Sequence, residues 1–151
     1  MKKLLSAIVL ASCGLVATSA NAEVKFESPE DAIEYRQAAF KLVGNVFGSR
    51  LGDVARGDVE YDAEAVKQNA ATLKVLMNLP WDGFGEGTQG GNAEDKVWSN
   101  KADFDEKAEA SIKAVAALDE AAQSGDLNKF KAAFADAGKS CKTCHDSYRK
   151  K

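Results

Sequence analysis

Cys141-Lys142-Thr143-Cys144-His145 lies within the last eleven residues of a 151-residue chain, on the apolar stripe of its final helical segment. Positions i and i+3 share one helix face, so both thiols reach the same edge of a planar group. The imidazole follows one step further round, close enough to turn onto a metal at the centre of that group. C-x-x-C-H is the attachment signature of a c-type haem, with thioethers from the thiols and an iron bond from the histidine. The competing readings of the spacing are weaker. A redox C-x-x-C pair usually sits at a helix N-terminus, where the dipole lowers a thiol pKa. A zinc site needs about four ligands, and two cysteines with the sole histidine fall short.

The start of the chain explains how two thiols survive. Lys2 and Lys3 precede an apolar stretch from Leu4 to Val16, and Ala20-Asn21-Ala22 is an A-x-A cleavage site. Together they read as a secretory signal peptide over 1–22, leaving one domain over 23–151. The rival lipobox, Leu10-Ala11-Ser12-Cys13, comes early, and apolar sequence continues past it. Export to the periplasm places the protein where free thiols oxidise. Thioether bonds to haem resolve that conflict. The mature chain carries 18 basic against 23 acidic residues, a net charge of -5. There is no basic surface for nucleic acid and no apolar run long enough to span a membrane.

The spacing predicts four helices and no strands. The first opens at Ser28-Pro29-Glu30-Asp31, an N-cap, a proline at N1 and acids at the positive end of the dipole. Its stripe of Ile33, Phe40, Val43 and Phe47 runs to Gly48, followed by a polar crossover to Tyr61. The second spans about Asp62 to Leu79 and stops at Pro80. The third starts near Asn100, with Asp103 as a partial capping box, and ends at Gly125. The fourth runs from Asp126 to about Arg149. Between the second and third, Trp81 to Gly91 is a glycine-rich loop anchored by Trp81 and Phe84. Helices of ~20 residues are ~30 Å long and suit an antiparallel up-down-up-down four-helix bundle.

His145 is the only histidine, so bis-histidine ligation within the chain is excluded. Methionine is the other common axial ligand. Met77 is the sole candidate after cleavage, and a methionine on an apolar stripe is ordinarily packing. Without it the iron is five-coordinate and apolar residues close the distal side, with Phe40 the candidate from the inward stripe of helix one.

The order of these motifs resembles the cytochrome c′ family of class II c-type cytochromes. The resemblance runs from Pro29-Glu30-Asp31-Ala32 and Tyr35-Arg36-Gln37, through Leu79-Pro80-Trp81 and Phe84-Gly85-Glu86-Gly87-Thr88, to the haem motif with Tyr148-Arg149. Cytochromes c′ are up-down-up-down four-helix bundles. The resemblance implies that Arg36 and Gln37 lie near the haem edge and propionates, and that Thr88 and Gln89 contact the haem from the loop. Many relatives carry an acid where Gln89 stands. It further implies that Arg149 lies beside the proximal His145 and that Phe40 occupies the distal position, often leucine in relatives.

The expected function is a mono-haem protein that binds nitric oxide and carbon monoxide and exchanges electrons with an unidentified partner. The alternative is a six-coordinate low-spin electron carrier. A peroxidase would need a distal His and Arg pair, and the sole histidine is already used. The family resemblance also implies a homodimer through helices one and two.

Overall fold

The computed structural model describes residues 24–151. The signal peptide assigned to 1–22, and with it Cys13, lies outside the described residues.

Helix α1 spans Pro29–Gly44, and its Ser28 hydroxyl accepts from the Asp31 amide at 3.2 Å. This first rod does not stop at Gly48. It widens into a π-helical stretch over Asn45–Leu51 and continues as α2, Gly52–Arg56. The expected polar crossover is therefore helical over most of its first half. Gly48 has open space around it. Gly52 is packed so closely on Phe47 and Arg56 that a Cβ would clash, which lets the glycine-bearing face bury. Leu51 and Val54 keep the rod anchored in the core. Gly57 ends it at φ 84, with the Asp58 amide reaching back to the Asp53 carbonyl at 2.8 Å, a left-handed helix stop that glycine adopts without strain.

Helix α3 spans Ala63–Leu76, capped by the Asp62 carboxylate on the amides of Glu64 and Ala65. It ends three residues earlier than expected. The last turn tightens to i→i+3 bonding, with the Asn78 amide on the Val75 carbonyl and Leu79 on Leu76, and Leu79 enters the turn at Pro80 still in the α region, at φ -79 and ψ -43. Pro80–Phe84 is a 3₁₀ turn, and Lys96–Ser99 is a short helix α4 that the sequence did not signal. Helix α5 spans Lys101–Gln123 and α6 spans Leu127–Tyr148, joined by a turn with Gly125 at φ 71. Asp126 caps α6 through two amides. The capping box expected at Asn100 and Asp103 does not form. The Asp103 carboxylate instead takes the Tyr148 hydroxyl and the Lys107 ammonium.

These elements make the four-helix bundle, and no strand occurs among the described residues. Two apolar clusters fill it. The larger gathers Val43, Leu51, Val66, Leu73, Leu118 and Phe130, several with no exposed surface. Burying each such side chain contributes ~1.5–3 kcal/mol. The smaller holds Phe84, Val97, Phe104, Cys144 and Tyr148, with Phe40, Trp81 and Trp98 against it. An isolated antiparallel bridge between Ala93 and Arg149 ties the loop to the chain terminus, with the Glu94 amide on the Tyr148 carbonyl and Lys150 on Asn92, both 2.9 Å.

Candidate haem site

Cys141, Cys144 and His145 line a single cavity of about 690 Å³ inside the bundle, within the ~300–1,000 Å³ range of cofactor and small-ligand sites. Phe40 and Val43 from α1, Leu73 and Met77 at the end of α3, and Phe104 and Val115 from α5 complete its apolar wall. Both cysteines are free thiols. Burial raises the pKa of each, pushing Cys144 up to about 11. A redox C-x-x-C pair needs the opposite shift. Among the described residues no group of three or more His, Cys, Asp or Glu is placed to hold a metal ion by itself, so a zinc half-site finds no completion. A deep apolar slot with two thiols and an imidazole in one wall fits a covalently held haem.

Partial loss of water, with the Arg149 guanidinium second, lowers the pKa of His145. The ring is then neutral at pH 7, with a nitrogen lone pair free for iron. Phe40 is half-buried and held by edge contacts to Trp81 at 5.6 Å and 86° and to Phe84 at 6.2 Å and 63°. Met77 is buried in the larger core cluster while reaching the cavity wall, and its carbonyl accepts from the Trp81 indole at 2.6 Å.

The residues expected from the sequence divide into two groups. Cys141, Cys144, His145, Arg36, Gln37, Phe40 and Arg149 share the cavity lining, whereas Thr88 and Gln89 do not reach it. Thr88 is buried and Gln89 is exposed on the loop. Arg36 is 2% exposed and donates to the carbonyls of Gly83, Thr88 and Gly90 at 2.5, 2.8 and 3.0 Å. No carboxylate pairs with it in the described residues, and its guanidinium packs on Phe84 at 4.7 Å and Trp98 at 5.4 Å. Desolvation lowers its pKa, yet arginine stays charged.

Three charged lining residues were not legible in the sequence. Lys41, Lys150 and Lys151 are exposed and line the cavity, giving with Arg36 and Arg149 five cations and no acid. The signal was the Arg149-Lys150-Lys151 run closing an acidic chain. Tyr148 was legible as apolar stripe but not as a polar strut. Its hydroxyl donates to Asp103 and it stacks edge-on against Phe104 at 5.2 Å.

The sequence profile of the family described as Cytochrome C' matches residues 31–149. A cytochrome c' of Alcaligenes xylosoxydans xylosoxydans is 48% identical over 127 residues, covering 84% of this chain and 99% of the relative. Among solved structures, the nitric oxide complex of a leucine-to-alanine variant of cytochrome c prime from Alcaligenes xylosoxidans superposes with a TM-score of 0.81 at 48% identity, covering 84% of this chain and 99% of that one. The ferrous form of the phenylalanine variant at the same leucine gives 0.81 at 49%, covering 84% and 100%.

Proposed function

Because the chain belongs to the cytochrome c′ family, we propose that it is an exported mono-haem protein whose five-coordinate iron takes small neutral gases, nitric oxide and carbon monoxide, and which also passes electrons. The observation that carries this reading is the cavity itself. Its lining brings Cys141, Cys144 and His145 together with the apolar side chains of Phe40, Val43, Leu73, Phe104 and Val115.

Cys141 and Cys144 would hold the haem through thioethers, and His145 would supply a nitrogen ligand to its iron. When bound, the haem would supply an iron that takes a diatomic ligand. Every other role falls to the chain. Phe40, on the cavity wall, would cover the ligand position and keep water from it. The apolar wall disfavours anions, whose burial without partners is costly. Gln37 and Arg149 lie along the lining, which supports the roles that the family resemblance gives them at the haem edge and beside His145. Arg36 acts on the loop that carries Thr88 and Gln89. The nitric oxide complex of the relative supports gas binding here. Identity is 48% with the alanine variant at that leucine and 49% with the phenylalanine variant, as one further matched position makes it rise. This supports Phe40 as the distal residue.

Met77 reaches the cavity and would be the sixth ligand of a low-spin electron carrier. Its place in the core cluster and the use of its carbonyl by Trp81 support a packing role instead. The charged start, apolar stretch and A-x-A site over 1–22 support export to the periplasm. Leu42 on α1 and Val75 on α3 are 53% and 66% exposed, and they support a homodimer through the first two rods. The ferric optical and EPR spectra test the central reading. A high-spin spectrum, with nitric oxide and carbon monoxide binding on reduction, is expected, and a low-spin ferric spectrum would overturn it.

A further inference from the structure

The charge on the cavity runs against the charge of the molecule. Residues 23–151 carry a net -5, yet every charged residue on the lining is a cation: Arg36, Lys41, Arg149, Lys150 and Lys151. None of these five forms an ion pair in the structure. The lysines and arginines that do are satisfied elsewhere, chiefly along the exposed faces of α5 and at the end of α2. Asp146, the acid beside His145, is paired with Lys142 and is absent from the lining. Glu94, on the loop that crosses to the terminus, is absent from it too. Four of the five cations are exposed, and Lys150 is held across the mouth by its ammonium on the Gly91 carbonyl at 3.3 Å. A haem carries a pair of propionates, fewer charges than the cations on the lining.

We propose that this rim is the docking face for an acidic protein surface, through which a redox partner exchanges electrons with the site. Local field at a cleft, rather than net charge, governs approach within about one Debye length, ~10 Å at 0.1 M salt. An acidic patch is drawn to the mouth while the acidic remainder of the molecule repels it, which fixes orientation as well as rate. The inference rests on the haem reading, because the mouth is an electron-transfer face only if haem fills the cavity.

The holoprotein, reduced without oxygen, is mixed in a stopped-flow instrument with hexacyanoferrate(III), a trianion, or tris(phenanthroline)cobalt(III), a trication. Each oxidant removes one electron from the ferrous centre. A molecule reacting by net charge would speed up with salt towards the trianion. The rim predicts the reverse, a rate falling at least about threefold between low and 0.3 M ionic strength, since steering is lost on screening. The trication should show the opposite slope. Lys41→Glu with Lys151→Glu should abolish or invert the trianion slope. Lys129→Glu with Lys131→Glu, the same charge change on the exposed start of α6, should leave it unchanged. A second measurement needs no electron transfer. A hexaglutamate peptide should shift amide resonances at residues 41, 91–94 and 149–151 and not those of 126–133. A trianion rate that rises with salt, equal effects of both double variants, or peptide shifts spread over the molecule would each overturn the proposal. Absence of a pyridine haemochrome would instead overturn the haem reading, and the peptide titration still decides whether the rim binds acidic surfaces.

Discussion

Arg36 donates to both the carbonyl and the hydroxyl of Thr88, at 2.8 and 3.2 Å, across more than fifty residues of sequence. The Thr88 hydroxyl in turn donates to the Gly85 carbonyl at 2.8 Å. The glycine-rich loop is thus hung on α1 by a buried cation whose charge is met by carbonyl dipoles and two aromatic faces rather than by a carboxylate. Gly91, at φ 56, packs so closely on Gln37 and Ile33 that a Cβ would clash, so the loop lies flat against the same helix.

Replacing Arg36 by Gln should therefore act through the loop. It leaves the carbonyls of Gly83, Thr88 and Gly90 short of donors, each loss being worth ~1–3 kcal/mol where the site stays dry. A drop of about 3 kcal/mol is expected, read as a lower denaturant midpoint at unchanged m-value. Arg36→Lys should recover less than half, since one ammonium cannot reach the whole fork of acceptors. Amide exchange at Thr88 and Ala93 should accelerate in both. A fall in haem retention without any loop effect would assign Arg36 to the haem directly.

Much of this was legible in the chain because it is local. Ser28, Asp62 and Asp126 announce three helix starts by capping chemistry that involves only neighbouring residues, and Cys141, Cys144 and His145 share a face by spacing alone. What was not legible depends on distant partners. Gly48 reads as a stop, yet the rod continues through it because Leu51 and Val54 find burial against other helices. Asp103 reads as a cap, yet Tyr148, 45 residues away, claims its carboxylate. Thr88 was assigned to the haem through resemblance, and its hydroxyl is engaged by Arg36 and Gly85.

Attachment has a direct check. Cys141→Ala and Cys144→Ala should each leave one thioether, and the double variant none. Acid-acetone extraction should strip haem from the double variant and not from wild type. Haem that survives extraction in the double variant would sink covalent attachment through these thiols.

Met77→Leu conserves volume and should cost under ~1.5 kcal/mol. The ferric spectrum should stay high-spin. A wild type that is low-spin and becomes high-spin on this change would make Met77 the sixth ligand.

The Tyr148–Asp103 contact sets a pH window for stability. Burial, and then the hydrogen bond to Asp103, push the Tyr148 phenol up to about 12, against ~10 in an unfolded chain. That stabilisation is fully present below about pH 10 and is lost as pH rises towards 12. The hydrogen bond from Lys107, and then that from Tyr148, hold Asp103 below its ordinary value. Its stabilisation is present above the unfolded value of ~3.9 and is lost as pH falls through the lower folded one. Tyr148→Phe should lower the denaturation midpoint at pH 7, and the gap from wild type should close both above pH 11 and at strongly acid pH. A gap constant from pH 3 to 12 would mean that the contact carries no linked stability.

Phe40 is the most demanding case, because its ring covers the sixth position on the family reading and is pinned from two sides. The edge contacts to Trp81 and Phe84 are each worth ~0.5–1.5 kcal/mol beyond their buried area. A distal ligand would have to push the ring aside and forfeit both, a penalty of ~1–3 kcal/mol, and ~1.4 kcal/mol is one decade in affinity. Carbon monoxide needs the distal position and bears the whole cost. Nitric oxide bonds iron more strongly and would weaken a bond from His145, so it could end on either face and should be affected less. Phe40→Ala should raise the carbon monoxide affinity of the ferrous protein tenfold or more and admit water to the ferric iron. Phe40→Leu should fall between the two, since leucine fills less of the space above the iron. A carbon monoxide titration of the three proteins at one pH reads the order directly. Equal affinities in wild type and Phe40→Ala would show that the ring does not cap the distal site, and gas selectivity would have to arise from the proximal side.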